Sequence, residues 1–332
     1  MRLSRKWLIL AVPSCALGLF AYFGLFFRSA SDSADEAGRR PSLLSESRSA
    51  LPPTSVDISC GLMLAHSKWF CDRYSKSLKV IWSRDDPPVS VESIKSIRGL
   101  GIDRFTDEQF RATAADAFKT ISSKDIFSQW RKEKGKISCA VVGNSDNLIG
   151  SNYGSIIDSH NVVFRMNAAI TKGYEKDVGV KTTFQSLYSR IGSSYQKPNK
   201  ILVIPTGTRE IKFAGRAPSA LKANSSDVYL IHPDFSRSVK WKWMSYKKPR
   251  VSSGIVILLF AVHVCDKVSV FGFGVNKNGN YGHYYSLGQE SVSTRQNFAQ
   301  KKQFVFHDFK SETDLRLKLA EEGIITVFPG SE

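Results

Sequence analysis

The sequence predicts an α/β domain on a mainly parallel sheet flanked by helices. Two observations carry that expectation. Short apolar strand candidates alternate along the chain with stretches of helical pattern, the order of repeated βα units. Two of those strands, Ile137–Val142 and Asn161–Arg165, run straight into polar amides, Asn144 and Asn167, at their carboxyl ends. In an open α/β sheet that edge is where ligands bind. With 332 residues the chain has ample length for a sizeable core.

Taken in order, the elements begin with an apolar run, residues 7–27, "WLILAVPSCALGLFAYFGLFF". It is long enough to span a bilayer as a helix. Arg2, Arg5 and Lys6 precede it, so residues 1–6 should stay cytosolic and the rest of the chain should cross. A cleaved signal peptide would normally have a shorter apolar core and a clearer small-residue cleavage site. Residues 28–55 are rich in Ser, Ala and mixed charge and carry no apolar period. Such a segment cannot bury enough surface to fold and reads as a flexible stem. The folded luminal domain is expected over 56–332.

Within that domain, Thr106 and Gln109 make a capping box that should open a helix through Phe110, Ala114 and Phe118 to about Lys134. Strands are expected at Ile137–Val142, Asn161–Arg165, Thr183–Leu187, Lys200–Ile204, Asp227–Ile231, Lys267–Phe271 and Ile324–Phe328. Helices are expected near Leu148–Asp158, Phe235–Met244, Ser253–Val264 and Glu312–Glu321. No internal repeat is visible.

The chain has 5 cysteines. Cys15 lies in the apolar run; Cys60, Cys71, Cys139 and Cys265 fall in what should be an oxidising lumen. An even number there points to two disulfides, with three pairings open. A zinc site is disfavoured because no C-x-x-C pair occurs. The net charge of +17 is a broad excess of Lys and Arg. Nucleic acid is a poor partner for a luminal domain; anionic small molecules, acidic glycans or membrane headgroups fit better. Asn224-Ser225-Ser226 is a sequon and should lie on a surface loop as a glycan acceptor.

Four stretches carry candidate chemistry. Gly143-Asn144-Ser145 joins a strand to a helix, where backbone N–H groups favour an anion. Neither a G-x-G-x-x-G fingerprint nor a phosphate loop is present. In "RVSSGIVILLFAVHVCDKVSVFGFG", Arg250 to Gly274, Ser252 or Ser253 should cap an apolar helix in which His263 reads as a core residue. The loop "GNYGHYYS" sets His283 among aromatics, and His307 with Glu312 forms an H-x-x-x-x-E pair. Two loop histidines near predicted sheet edges suit acid–base and phosphate chemistry. No D-x-D triplet, a pattern that commonly holds a metal, occurs.

At these residues the sequence resembles the sialyltransferases of glycosyltransferase family 29. "CAVVGNS", "IDSHNVVFRMN" and "DVGVKTT" look like the large sialylmotif, Ser252–Gly274 like the small one, His283-Tyr284-Tyr285 like the third, and His307 with Glu312 like the very small one. The match covers roughly Cys139 to Phe328. It implies a Rossmann-like core of the GT-A variant type and a single-pass type II Golgi membrane protein. The implied reaction is an inverting transfer of sialic acid or a related sugar from a CMP-sugar to a galactose-type hydroxyl of a glycan or glycoprotein.

The resemblance also implies a Cys139–Cys265 disulfide, which leaves Cys60 for Cys71. By carry-over, Asn144 and Asn167 bind the nucleotide, and Ser252, Ser253, Gly254 and Gly274 shape the donor pocket. His283 contacts the donor phosphate with Tyr188 as a further candidate, His307 is the base, and Glu312 supports it from behind. No cofactor and no metal are implied. The chain departs from the family pattern at Ser286, where an acidic residue is usual, at Val251, where Pro is common, and at Arg250, where an aromatic is common. Divergent members, plant ones included, are linked with other sugars such as galactose or a Kdo-like acid. A luminal glycan-binding protein that kept the fold is the alternative reading.

Overall fold

A computed structural model of the protein describes residues 67–121, 124–244, 250–276, 279, 282–286 and 307–331. The apolar run 7–27, the stem 28–55 and Cys60 lie outside the described residues. Among the described residues, no helix is long and apolar enough to cross a membrane.

The strands are β1 (Ile81–Trp82), β2 (Ser138–Val142), β3 (Val162–Met166), β4 (Phe184–Ser186), β5 (Lys200–Val203), β6 (Val228–Ile231), β7 (Lys267–Phe271) and β8 (Thr326–Val327). They form one 8-stranded sheet in the order β1-β6-β5-β4-β3-β2-β7-β8. All pairings are parallel except β1 with β6. The chain steps outward from β2 to β6, then returns to lay β7 on the other side of β2. The strand order therefore reverses between β2 and β7, and a crevice opens there at the carboxyl edge.

Side-chain alternation divides the core. Cys139, Val141, Phe164, Val268 and Val270 face one side, where the Ser253–Val264 helix and Phe127 cover them. On the opposite side Ala140, Val142, Val163 and Phe271 meet Leu148, Ile157 and Tyr284. Farther along that side, Ile201, Val203, Val228 and Leu230 pack with the Asp107–Ala117 and Thr208–Ala220 helices. Burial on both faces explains why these strands read as continuous apolar runs. From Ile255 to Val264 every residue except His263 is buried, so the Ser253–Val264 helix has no polar face. His263 is stacked on Tyr74 at 4.7 Å and lies against Phe235 and Trp243. Its Nδ1 bonds the Leu259 carbonyl, and burial pushes its pKa down to about 4. It is a core residue, as expected.

The Cys139–Cys265 disulfide is formed across 126 residues of sequence, with Cα atoms 6.1 Å apart. It ties the amino half of β2 to the C-cap of the Ser253–Val264 helix. Asn224 is exposed at the turn that enters β6, and its Nδ2 donates to Asp227 at 3.0 Å. It therefore sits at the amino edge of the sheet, away from the crevice edge.

Several elements differ from expectation. The Thr106 capping box forms with Gln109, but the helix ends at Ala117. Thr120 Oγ1 there bonds Ala117 and Gly215 carbonyls, and a second helix, Ile126–Lys134, starts anew on its own Asp125 cap. The expected helix Leu148–Asp158 is only a 3-10 turn, Asp146–Leu148, and the short Gly154–Asp158 helix. Between them Asp177 accepts from the Gly150 and Asn152 amides, both at positive φ, and holds the chain out of helix. Phe235–Met244 resolves into Pro233–Ser238 and a π turn, Val239–Trp243.

The Thr208–Ala220 helix was not expected. Gly215 and Pro218 interrupt its pattern, and its N-cap is Gly207. Asp103, distant in sequence, supplies the missing cap by accepting from Thr208 Oγ1 and the Arg209 amide. Gly215 lies where this helix meets Asp107–Ala117, and a Cβ there would be a tight 3.0 Å from the Ala117 backbone.

Candidate active site

The crevice is a cleft of about 680 Å³. It is walled by the segments that leave β2, β3, β4, β5 and β7 and by the amino end of the Ser253–Val264 helix. The site residues anticipated from the sequence all line it: Asn144, Asn167, Tyr188, Ser252, Ser253, Gly254, Gly274, His283, His307 and Glu312. They come from separate parts of the chain, and the sheet order is what gathers them.

The β2–β7 wall is backbone against backbone. The Gly143 amide donates to the Phe271 carbonyl at 2.7 Å, and the Ser145 amide to Gly272 at 3.1 Å. A Cβ at Gly143 would lie 2.1 Å from the Gly272 oxygen, so only glycine allows this approach. Gly254 is similarly confined by Phe273, 2.9 Å from an added Cβ. The two amides fit at this wall. Asn144 Nδ2 donates to the Met166 carbonyl at 3.0 Å, which fixes the orientation of the side chain. Asn167 sits at φ 61, a left-handed conformation that asparagine tolerates. The Oδ1 atoms of both asparagines are buried without a protein partner. Two acceptors, from neighbouring strands, are thus left for something other than the chain itself.

His283 is held beside Asn144 by an antiparallel bridge between residues 283 and 145. Its neighbours complete the fastening: Tyr284 N donates to Asn144 O at 3.0 Å and Asp146 N to Gly282 O at 3.1 Å. Tyr284 is fully buried and its hydroxyl donates to the Ile170 carbonyl at 2.8 Å. The His283 ring stacks on Tyr285 at 5.2 Å. Burial lowers its pKa, with Asp146 opposing, which favours the neutral ring.

His307 ends up across the small-motif segment. Its Nδ1 lies 2.9 Å from the Arg250 carbonyl. A carbonyl only accepts, so Nδ1 carries the hydrogen and Nε2 keeps a bare lone pair. Burial lowers this pKa as well; the Arg250 carbonyl bond opposes it and the Arg250 charge adds to it. The result is a neutral imidazole with one basic nitrogen.

Glu312, expected to support His307 from behind, bonds the Ser252 segment. Its Oε1 accepts from the Ser252 amide at 2.8 Å and its Oε2 from Ser252 Oγ at 2.6 Å. Its link to His307 runs through residues 250–252 of the main chain. Ser252 meanwhile caps its helix by accepting from Ile255 N. Glu312 is 6% exposed, and burial pushes its pKa up to about 7 against the two Ser252 hydrogen bonds. Tyr188 is half-exposed at the start of the turn after β4.

Sequence reasoning did not find the cations of the cleft. Arg190, Arg209, Arg237, Lys240 and Arg316 line it together with Arg250, against Glu210 and Glu312 as the only carboxylates there among the described residues. Each stands alone in the sequence and no spacing marks it.

The model of glycosyltransferase family 29 (sialyltransferase) matches residues 100–213 and 200–324. CMP-N-acetylneuraminate-beta-galactosamide-alpha-2,3-sialyltransferase 1 of Gallus gallus is 30% identical over 289 residues, covering 82% of this chain and 81% of that protein. The corresponding sialyltransferase 2 of Rattus norvegicus is 28% identical over 254 residues, 73% of this chain and 72% of that protein. A mammalian sialyltransferase crystallised with Gal-beta-1-3GalNAc-ortho-nitrophenol superimposes with a TM-score of 0.68 at 26% identity, over 80% of this chain and 95% of that one. The matched span holds the cleft from the β2 turn to the Glu312 helix, and the chain belongs to glycosyltransferase family 29, the sialyltransferases.

Proposed function

We propose that this glycosyltransferase moves sialic acid or a related sugar from a CMP-sugar to a galactose-type hydroxyl of a glycan, with inversion at the anomeric carbon. The observation that carries the reading is the bare Nε2 of His307 in the cleft that also holds the unsatisfied acceptors of Asn144 and Asn167. His307 takes the proton of the acceptor hydroxyl as its oxygen attacks the anomeric carbon from the face opposite the nucleotide. The bond from that carbon to the phosphate oxygen breaks, and CMP leaves with the electron pair. His283 donates a hydrogen bond to the phosphate and offsets its growing charge, with Tyr188 beside it. Asn144 and Asn167 hold the nucleotide, and Ser252, Ser253, Gly254 and Gly274 shape its pocket. The parallel sheet with its switch point supports the GT-A variant assignment. No step calls for a metal, in keeping with a monophosphate leaving group and the lack of a D-x-D triplet.

In the same reading, residues 1–6 are a cytosolic tail, 7–27 a signal-anchor, 28–55 a stem and 56–332 a luminal Golgi domain. The basic residues ahead of the apolar run and the Cys139–Cys265 bond support this topology. Cys60–Cys71 is the second disulfide, and Asn224 carries a glycan. The deciding experiment measures CMP release by the full-length protein with a panel of CMP-sugars and galactose-ended acceptors. Release that requires both donor and acceptor is expected. CMP binding with no acceptor-dependent release from any donor would replace this reading with that of a glycan-binding protein.

A further inference from the structure

Behind His283 lies a carboxylate that the transfer set out above does not use. Asp146, in the turn after β2, donates its amide to the Gly282 carbonyl at 3.1 Å, and its neighbour Ser145 is bridged to His283. These contacts lay the Asp146 side chain against Gly282. A Cβ on that glycine would be 2.2 Å from Asp146 Oδ2 and 3.3 Å from Oδ1. Glycine at 282 therefore makes room for the carboxylate, one residue from the imidazole. Gly282 and His283 line the cleft and Asp146 does not. The carboxylate thus backs the segment that carries the ring.

Its two oxygens are placed differently. Oδ2 accepts from Asn276 Nδ2 at 2.9 Å, which pins the group from the segment after β7. Oδ1 is buried and has no hydrogen-bond partner. A carboxylate oxygen shut off from water without a donor is costly. The imidazole beside it can supply one. That ring is stacked on Tyr285, and no hydrogen bond to its nitrogens is formed among the described residues. The other ionisable group beside it, Tyr284, turns its hydroxyl to the Ile170 carbonyl. Among the described residues Asp146 is the charged side chain whose field reaches His283, and that field opposes the effect of burial.

We propose that Asp146 is the positioning residue of His283: with the donor bound, one ring N–H bonds Asp146 Oδ1 and the other bonds the phosphate, so the ring is held between two anions as an imidazolium. The proposal rests on His283 being the phosphate contact. A neutral imidazole has one N–H and one lone pair. Giving its one hydrogen to either anion would turn the lone pair toward the other. Only the protonated ring serves both, so donor binding draws a proton from solvent onto His283. The proton stays on the ring while CMP leaves with the electron pair, and the phosphate keeps a charge-assisted donor throughout.

The test is the affinity of the full-length protein for CMP between pH 5 and pH 8.5, in wild type, Asp146→Asn, His283→Ala and the double variant. Asparagine fills the same space and keeps an oxygen for Asn276 while removing the charge. Wild-type affinity should fall as pH rises through the titration of the bound ring. In Asp146→Asn that fall should come about one pH unit lower, so CMP binds up to about tenfold more weakly near pH 7 and nearly as well as to wild type at pH 5. Asp146→Ala should show the same displacement, so the result does not hang on one variant. Titration of the CMP phosphate, with a second pKa of about 6, is common to all the proteins and cancels in the ratio. On the His283→Ala background, Asp146→Asn should cause no further weakening. A loss that is equal at every pH, or that persists in the double variant, shows Asp146 to be structural only and overturns the proposal. If His283→Ala alone leaves CMP affinity unchanged, the phosphate contact fails and the proposal falls with it. If His283→Ala weakens CMP while Asp146→Asn follows the wild-type curve, the role of Asp146 alone is overturned.

Discussion

The two sides of the cleft are built by different means. At the β2–β7 wall, main chain packs on main chain through Gly143, Gly272 and the zipped segment 282–284, and the Cys139–Cys265 bond anchors the layer beneath. Around His307 the geometry depends on side chains and on one thread of hydrogen bonds, from Glu312 to Ser252 and from the Arg250 carbonyl to the imidazole. A wall of backbone fixes position and tolerates almost no substitution. A wall of side chains sets charge and reactivity and is free to diverge while the fold persists. Of the departures from the family pattern, Arg250 and Val251 fall on the second side, and Ser286 lies beside the zipped segment of the first.

The largest effect that sharpens this contrast is on turnover. His307→Ala should cut kcat by about 10²–10⁴-fold with the CMP dissociation constant changed little, whereas His283→Ala should weaken CMP binding as well. Isothermal titration with CMP beside steady-state kinetics separates the two; equal loss of CMP affinity in both would erase the distinction between the walls. The lowered His307 pKa adds a pH signature. The base must be neutral, so the acid limb of kcat/KM should fall below the ordinary histidine value of about 6.5.

Next in size is stability. Opening the Cys139–Cys265 loop should cost up to about 5 kcal/mol by chain entropy. Cys139→Ser should therefore unfold at much lower denaturant, measured by fluorescence. A midpoint unchanged from wild type would show that the layer below the backbone wall holds without its staple.

Smaller still is the loss of one nucleotide contact. Asn144→Ala should weaken CMP by about 1–3 kcal/mol, and Asn167→Ala by a similar amount with some backbone strain added. Unchanged affinity in both would place the nucleotide elsewhere.

The smallest expected effect belongs to the side-chain wall. Glu312 has a folded pKa raised to about 7, above its unfolded value of 4.5. Its contribution to stability is therefore full below about 4.5 and is lost as pH rises through 7. Glu312→Gln cannot ionise, so its melting temperature should gain on wild type by about 5 °C between pH 5 and pH 8. His263 works in the opposite sense, favouring the folded state above 6.5 and losing that contribution toward 4, but it is common to both proteins and cancels in the difference.

The same contrast decides what the sequence could reveal. The backbone wall is written in contiguous residues: the strands from β2 to β7 fall within about a residue or two of their apolar runs, and Gly143-Asn144-Ser145 marks its turn. The histidines were legible because their motifs are local. By comparison, β1 is two residues long and pairs antiparallel at the edge, too short for a period to register. The Thr208–Ala220 helix takes its cap from Asp103, and the break after Leu148 is imposed by Asp177. Arg190, Arg209 and Arg316 enter the cleft from three elements and are indistinguishable in sequence from any solvated cation. What long-range partners determine, a local pattern does not contain.

The helix from Ser253 to Val264 has a meaning for biosynthesis as well as for the core. Until it docks, the chain presents an apolar segment with no solvent-facing side, followed directly by the apolar strand β7. Its docking partner β2 is made 126 residues earlier, counted between the bonded cysteines, and until β7 arrives it has a partner on one side only, β3. During that wait the nascent protein offers β2 as an open edge for aggregation. Secretion yield in a host should therefore track chaperone supply and oxidising capacity, and overproduction in a reducing cytosol should give inclusion bodies.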